Sequence, residues 1–188
     1  MATQAEMKAQ ETYKRMCEDA RKANYRYEVL IEYESKLPNL TPEMVFWWWN
    51  NMGPIERYRL WSPDHLGFEW EVSPEVHGHV GAIHSVTENV GAMTVYLRLR
   101  YEDPKNYPGP RKYKNAILES SLTQDDKIMG WILHEFDQKG NGLVMNNVFQ
   151  LTVGTPKEII DGIIEHSNKE MEKLPKFLPD LYAKLVKK

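Results

Sequence analysis

Two residues late in the chain, His166 and Glu170, have the types and the spacing to bind one metal ion. Residues four apart are neighbours on one face of an α-helix, so an imidazole nitrogen and a carboxylate oxygen can reach a single cation. The segment 155–174 is typical of a helix, because Thr155 is a good N-cap and Pro156 suits the first helical position. The pair is therefore predicted to lie on a helix.

The helical face that carries this pair is predicted to be buried. At about 100° per residue, His166 and Glu170 lie in one row with Ile159, Ile163 and Leu174. A buried carboxylate is costly unless it is paired, hydrogen-bonded or bound to a metal. The spacing alone leaves two interpretations open, a hydrogen-bonded pair in the core and a pair of metal ligands.

A second acidic residue falls on an apolar strand face. Val80, Ala82, His84, Val86 and Glu88 alternate to one side of a predicted strand, so Glu88 points the same way as a largely apolar row. This acid also needs a partner in the interior.

Composition limits the classes of protein that the chain can belong to. The 188 residues suffice for one domain, with 41% hydrophobic and 27% charged residues. The net charge of −3 argues against a nucleic-acid-binding protein, because such proteins usually carry an excess of basic residues. No apolar run is long enough to span a bilayer, and we expect a cytoplasmic protein without a membrane partner. The lone Cys17 cannot form an internal disulfide, so a metal, if present, is not held by sulfur.

The predicted elements indicate an α+β fold. Periodicity and turn signals give the following segments. Helices are expected over 4–22, 41–52, 55–60 and 155–174, and strands over 25–34, 80–88, 93–101, 116–122, 128–136 and 143–153. Prolines after Leu174 are expected to break the last helix before a shorter one resumes, and 103–113 is a loop and candidate lid.

This order of elements resembles the helix-grip fold of the birch-pollen allergen and the START-type lipid carriers. In that fold a curved antiparallel sheet wraps around a long C-terminal helix and encloses a cavity. We expect one such domain over residues 1–188, with an N-terminal helical extension over about 1–22.

Four segments, in order along the chain, carry a more specific resemblance. They are residues 44–49, 57–65, 88–91, and 166–170 with 177–182. Together they resemble the diacetylphloroglucinol hydrolase and phloretin hydrolase family. Its enzymes cleave a carbon–carbon bond between a phenolic ring and an acyl group, and use a divalent metal, usually zinc, in a helix-grip domain.

The resemblance implies a set of site residues. The implied metal ligands are His65, Glu88, His166 and Glu170. Two imidazoles and two carboxylates suit zinc, and iron or manganese would also be accepted. Tyr58 is the first choice as proton donor or substrate anchor and His134 the second, although each could instead be a core residue.

Four further residues are predicted to line the substrate pocket: Trp48, Phe68, His84 and Phe149. The sequence departs from the family at two of them. Leu66, Gly67 and Phe68 stand where an amide facing the substrate is expected, and Phe149 stands where a phenol is expected. His84 shares a strand face with Glu88 and could also hydrogen-bond a ligating group.

The predicted function is a metal-dependent hydrolase that cleaves the bond between a phloroglucinol-like ring and an acyl group. One alternative is a non-catalytic helix-grip protein that binds an apolar aromatic ligand. Another is a non-hydrolytic metal-dependent cyclase or isomerase acting on a polyketide-like ketone. The expected partner is a small aromatic or polyketide-like ketone, and a homodimer is left open. The substrate, the metal and the oligomeric state do not follow from the sequence.

Overall fold

A computed structural model describes residues 3–186, and the outermost residues of the predicted domain (1, 2, 187 and 188) lie outside the described residues. The described residues form five α-helices and seven strands. The helices are α1 (Gln4–Lys22), α2 (Pro42–Asn50), α3 (Ile55–Tyr58), α4 (Pro74–His77) and α5 (Lys157–Val186), with a 3-10 turn at Pro104–Asn106. The strands are β1 (Tyr27–Pro38), β2 (His65–Val72), β3 (Ile83–Val90), β4 (Met93–Glu102), β5 (Asn115–Leu122), β6 (Ile128–Lys139) and β7 (Gly142–Thr152).

The strands form one curved sheet in the order β1-β7-β6-β5-β4-β3-β2, in which every neighbouring pair is antiparallel. Helix α5 lies against one face of this sheet. The Tyr33 hydroxyl on β1 and the Ser167 hydroxyl on α5 are hydrogen-bonded at 2.6 Å. The core fills the space between the sheet, α2 and α5. The predicted α+β helix-grip arrangement is confirmed.

Helix α5 is longer than predicted, because it continues through Pro175 and Pro179. A proline inside a helix removes one backbone hydrogen bond, so continuation needs support from packing. Leu174 and Leu178 are fully buried, and the ring of Phe177 contacts the ring of Trp48 on α2 at 5.0 Å between centroids. Burial of this face outweighs the two lost bonds.

The start of α5 also differs from the prediction. The Thr155 hydroxyl donates to the Thr152 carbonyl at 2.7 Å, which holds the turn after β7, and the helix begins at Lys157. The N-cap pattern is instead found at α2, where the Thr41 side chain accepts from the Met44 amide.

Helix α1 closes a gap in the sheet. Strands β4 and β5 pair only from Leu99 to Glu102, so the first part of β4 has no partner on that side. The buried Tyr13 of α1 donates its hydroxyl to the Leu122 carbonyl at the end of β5, at 2.8 Å, and its ring contacts Tyr96 of β4. Met16 of the same helix lines the internal cavity described below.

The loop 103–113 is not positioned as a lid. Tyr107 packs with Leu118, Trp131 and Leu133 in a cluster separate from the main core. Glu119 and Ile132, which alternate with Leu118 and Leu133 along β5 and β6, line the cavity, and Trp131 reaches it as well. The loop therefore covers the opposite face of the sheet. No helix within residues 3–186 combines the length and the apolarity needed to cross a membrane.

Candidate metal centre and cavity

The four side chains predicted to bind metal converge at one point between the sheet and α5. One ligand atom from each of His65, Glu88, His166 and Glu170 lies within 4.8 Å of the others. All four residues are buried, with exposed fractions of 0%, 7%, 7% and 8%. Two acids and two imidazoles gathered in an interior form a group that could hold a metal ion.

Strand pairing brings the first two of these side chains together. His65, predicted to lie in a loop, is the first residue of β2 and pairs directly with Glu88 of β3. The guanidinium of Arg59 donates to the His65 carbonyl at 3.1 Å, and the Asn89 amide donates to the Asp64 carbonyl at 2.9 Å. These bonds fix the backbone on both sides of the ligand pair.

Close packing of two glycines brings α5 to the strands. Gly91, in the turn after β3, has a φ of 58°, which favours glycine, and a Cβ there would lie 3.3 Å from the Gly162 Cα. Glu88 precedes Gly91 by three residues and His166 follows Gly162 by four. Because the two backbones nearly touch, side chains from the strand and from the helix meet.

The separations within the cluster match those around a single ion. His65 Nε2 lies 2.9 Å from Glu170 Oε1 and 3.7 Å from Glu88 Oε1. His166 Nε2 lies 3.5 Å from Glu170 Oε1 and 3.6 Å from Glu88 Oε2. Tetrahedral ligands at zinc-like bond lengths would be about 3.4 Å apart.

His65 Nε2 and His166 Nε2 both point into the cluster, and His65 Nε2 lies 2.9 Å from Glu170 Oε1, a hydrogen bond when that nitrogen is protonated. His65 Nδ1 lies 2.9 Å from the Tyr58 carbonyl, which can only accept, so Nδ1 carries the hydrogen and Nε2 of the neutral ring has a lone pair. His166 Nε2 is buried and has no hydrogen-bond partner among the described residues. A cation between these nitrogens and the carboxylates would satisfy every one of them.

The four groups also shift one another's ionisation. Burial raises the pKa of Glu170, but contacts with His166 and His65 outweigh it and lower the pKa overall. Burial lowers the pKa values of His65 and His166, but the neighbouring Glu170 and Glu88 outweigh it and raise both. The cluster therefore stabilises positive charge at its centre.

Tyr58 contacts two of the four residues. Its ring stacks on the His65 imidazole, and its hydroxyl donates to Glu88 Oε1. Burial raises the pKa of Tyr58 well above 10, and the charge of Glu88 adds to this effect. The phenol therefore keeps its proton at neutral pH.

A cavity of about 140 Å³ lies between the sheet and α5 and reaches the cluster. His84 and Phe149, two of the predicted pocket residues, line this cavity. Trp48 does not line it, since the ring is fully buried between Trp61 and Phe177. Trp49 takes its place in the wall.

The remaining predicted pocket residue, Phe68, is also absent from the cavity wall. Its ring stacks on the His84 imidazole at 5.5 Å between centroids and contacts Tyr58, so it supports two cavity residues from behind. A second hollow of about 260 Å³ adjoins the cavity and shares Met16, Ser121, Leu151 and Ile163 with it.

His134 lines the same cavity on β6. Its Nδ1 donates to the Asn147 side-chain oxygen at 2.7 Å. The Asn147 side-chain nitrogen donates to the Ser35 hydroxyl at 3.2 Å, so both hydrogen bonds require the same orientation of the Asn147 amide. Burial lowers the pKa of His134. The neutral ring therefore carries no hydrogen on Nε2, which makes that atom an acceptor.

Sequence reasoning overlooked Glu119. This residue lies on β5, is 4% exposed and lines the cavity. The alternation of 116–122 places it on the same face as Ile117, which was the signal available. Ser120 and Ser121 interrupt the apolar pattern of this predicted strand.

A comparison with protein families gives one match. The model described as the DAPG hydrolase PhiG domain covers residues 28–155. This segment contains His65 and Glu88 and ends before α5, which carries the other two residues of the cluster. No curated protein sequence matches the chain.

Several solved structures share the fold. Ara h 8.0201 is 15% identical, with a TM-score of 0.56 over 82% of this chain and 99% of that one. The KanY protein is 10% identical, with a TM-score of 0.58 over 81% of this chain and 98% of that one. An uncharacterized protein from Rhizobium leguminosarum is 13% identical, with a TM-score of 0.50 over 82% and 96%. At these identities the likeness concerns the fold alone.

Proposed function

Since the chain belongs to the DAPG hydrolase PhiG domain family, we propose that it is a metal-dependent hydrolase that cleaves the carbon–carbon bond between a phloroglucinol-like ring and an acyl group. The observation that carries this proposal is the convergence of His65, Glu88, His166 and Glu170 at one point, where the last three also line the cavity. The substrate is a small molecule, and we propose that residues 1–188 form one helix-grip domain around it.

The size of the cavity favours a ligand with one aromatic ring. An apolar cavity of about 150 Å³ is known to hold benzene, and the space here is about 140 Å³ with a hollow adjoining it. Trp49, Ile132 and Phe149 offer apolar surface to a ring.

The four clustered residues would hold the metal, zinc being the first candidate. A bound divalent ion supplies Lewis acidity, which polarises a carbonyl oxygen and makes water more acidic. His65 is oriented for this role by its Nδ1–H bond to the Tyr58 carbonyl, and Glu170 is held by the helix backbone, whose carbonyl at this residue accepts from Trp61 Nε1 at 3.0 Å.

Two residues are placed to handle protons. Tyr58 keeps its proton on Oη, directed at Glu88, and can donate it when a ring carbon accumulates negative charge. His134 presents an unprotonated Nε2 and can accept a hydrogen bond from a phenolic hydroxyl. The bond to Asn147 keeps the His134 ring in that tautomer.

The test combines elemental analysis with product masses. Wild type, His166→Ala and Glu170→Ala are purified, their zinc content is measured, and each is assayed against acylated phloroglucinols. Glu165→Ala is the matched control, because Glu165 is an exposed acid on the same helix. We expect about one zinc per chain in wild type and control, none in the other two, and products that together have gained the mass of one water.

Other results would contradict the proposal in distinct ways. Stoichiometric zinc without turnover of any aryl ketone would support the metal site and refute the proposed reaction. Tight ligand binding without a product would make the chain a binding protein. A product isomeric with its substrate would make it a cyclase or isomerase.

A further inference from the structure

A second polar pair faces the same cavity outside the four-residue cluster. Glu119 of β5 and His84 of β3 both line the cavity, with exposed fractions of 4% and 1%. His84 Nε2 lies 3.6 Å from Glu119 Oε1, which is too long for a hydrogen bond. The two side chains are therefore neighbours that do not satisfy each other.

Atoms of this pair lack partners. Within residues 3–186, neither Glu119 Oε1 nor His84 Nδ1 has a hydrogen-bond partner. Buried polar atoms are nearly always hydrogen-bonded, and leaving one unpaired costs about 1–3 kcal/mol. An unsatisfied carboxyl oxygen in a cavity wall marks the place where a polar group of a ligand would be bound.

The pair carries little charge at neutral pH. Burial raises the pKa of Glu119 to about 8, and the carboxylates of Glu170 and Glu88 act in the same direction. Burial lowers the pKa of His84 to about 3. A neutral carboxyl group offers one donor and one acceptor, which is the complement of a hydroxyl group rather than of an anion.

The pair is also separated from the cluster. His84 precedes Glu88 by four residues on one face of β3, which places their Cα atoms about 13 Å apart along the strand. A ligand with its acyl group at the cluster would need a ring and a substituent beyond it to reach Glu119. The rings of Trp49 and Tyr58 also line this cavity.

We propose that Glu119, supported by His84, determines substrate specificity by hydrogen-bonding the ring hydroxyl that lies furthest from the acyl group. This inference rests on the proposed function and deepens it, because it specifies the substrate as an aryl ketone with a hydroxyl para to the acyl group. Glu119 is a binding residue here and transfers no proton.

The test compares two ligands on three proteins. The probes are the acetophenone with hydroxyls at both ortho positions and at the para position, and the same compound without the para hydroxyl. Their dissociation constants are measured by tryptophan quenching on rapid mixing, before turnover, with zinc-loaded wild type, Glu119→Met and Glu135→Gln. Glu135 is a buried glutamate outside the cavity and serves as the control.

We expect wild type and control to bind the para-hydroxylated ketone about tenfold more tightly than its analogue, as one hydrogen bond supplies. In Glu119→Met the ratio should fall to about one with zinc content unchanged. A ratio that persists in Glu119→Met would overturn the proposal. If that variant does not fold, Glu119→Leu replaces it and should also bring the ratio to about one, because leucine can neither donate nor accept a hydrogen bond. Equal affinities for the two ketones in wild type would also refute the role.

Failure of this inference and failure of the proposed function give different results. If wild type binds the two ketones with different affinities but converts neither, the role of Glu119 is supported and the hydrolase activity is refuted. If wild type converts both ketones and binds them with equal affinity, the hydrolase activity is supported and the role of Glu119 is refuted.

Discussion

The ring of Tyr58 lies flat against the imidazole of His65, with centroids 3.8 Å apart and planes inclined by 14°. The backbone carbonyl of Tyr58 accepts from Nδ1 of the same histidine, and its hydroxyl donates to Glu88. One residue thus orients two of the four clustered side chains. Loss of such outer contacts typically weakens metal affinity by 10–100-fold.

Replacing Tyr58 with phenylalanine separates these contacts. Tyr58→Phe keeps the stacked ring and the backbone bond and removes only the hydroxyl donor to Glu88. We expect zinc affinity, measured by competition with a chelating dye, to fall by about 10-fold. If Tyr58 also donates a proton, kcat at saturating zinc should fall by about 100-fold or more. Unchanged affinity and kcat would leave Tyr58 as a packing residue.

Packing of α5 against the core can be tested at Leu174, whose side chain is fully buried. Leu174→Ala should reduce the free energy of unfolding by about 2–5 kcal/mol, through lost burial and the cavity left behind. The measurement is urea denaturation with a chelator present, so that metal loss does not contribute. Leu185→Ala, at a position 43% exposed on the same helix, should change stability by less than about 0.5 kcal/mol.

The buried carboxyl of Glu119 predicts a pH dependence of stability. Its folded pKa, about 8, lies above its ordinary value of 4.5, so the folded state binds the proton more tightly than the unfolded state. The stability from this group is complete below pH 4.5 and is lost as the pH rises through about 8. The charges of Glu170 and Glu88 add to the effect of burial and raise the pKa of Glu119, and a hydrogen bond from the Trp49 side chain lowers it. The imidazole of His84 lies 3.6 Å away.

Glu119→Gln should remove this dependence, because glutamine does not ionise. The stability of wild type relative to the variant should therefore decline between pH 4.5 and 8, as measured by denaturation at several pH values. Glu69→Gln, on the exposed side of β2, is the control and should follow wild type. A difference between wild type and Glu119→Gln that does not vary with pH would contradict the burial argument.

A substitution at Met16 tests whether α1 forms part of the cavity wall. Its side chain lines both the cavity and the adjoining hollow. Met16→Trp should fill this space and weaken binding of an acylated phloroglucinol by about 10–100-fold, corresponding to about 1–3 kcal/mol of steric conflict. Zinc content should not change. The control is Lys14→Ala, at an exposed position of the same helix, which should bind the ligand as tightly as wild type does. Unchanged affinity in Met16→Trp would show that the ligand binds elsewhere.

Much of the fold followed from the sequence because its periodic patterns reflect burial. The alternation around Glu88 predicted strand β3, and the row that contains His166 and Glu170 predicted helix α5. The family and the helix-grip architecture were also predicted correctly. Local pattern was sufficient at these places because each element buries one continuous face.

Other features depend on contacts between distant parts of the chain. His65 was assigned to a loop because its strand pairing with Glu88 is not encoded in local periodicity. The prolines after Leu174 predict a break, and only the packing of Phe177 against Trp48 explains why the helix continues. Trp48 and Trp49 are adjacent in sequence, and the crossing of α2 over α5 decides which ring faces the cavity.

The contact between Gly91 and Gly162 determines how wide the candidate metal centre is. Added side-chain atoms at either position would push the helix away from the strand and lengthen the reach from His166 and Glu170, while His65 and Glu88 stayed in place. Ions of larger radius tolerate longer coordination bonds, so such a change would shift the preference of the cluster from zinc toward manganese. If the cluster binds a metal, the close approach of Gly91 and Gly162 would therefore limit the size of the ion it accepts.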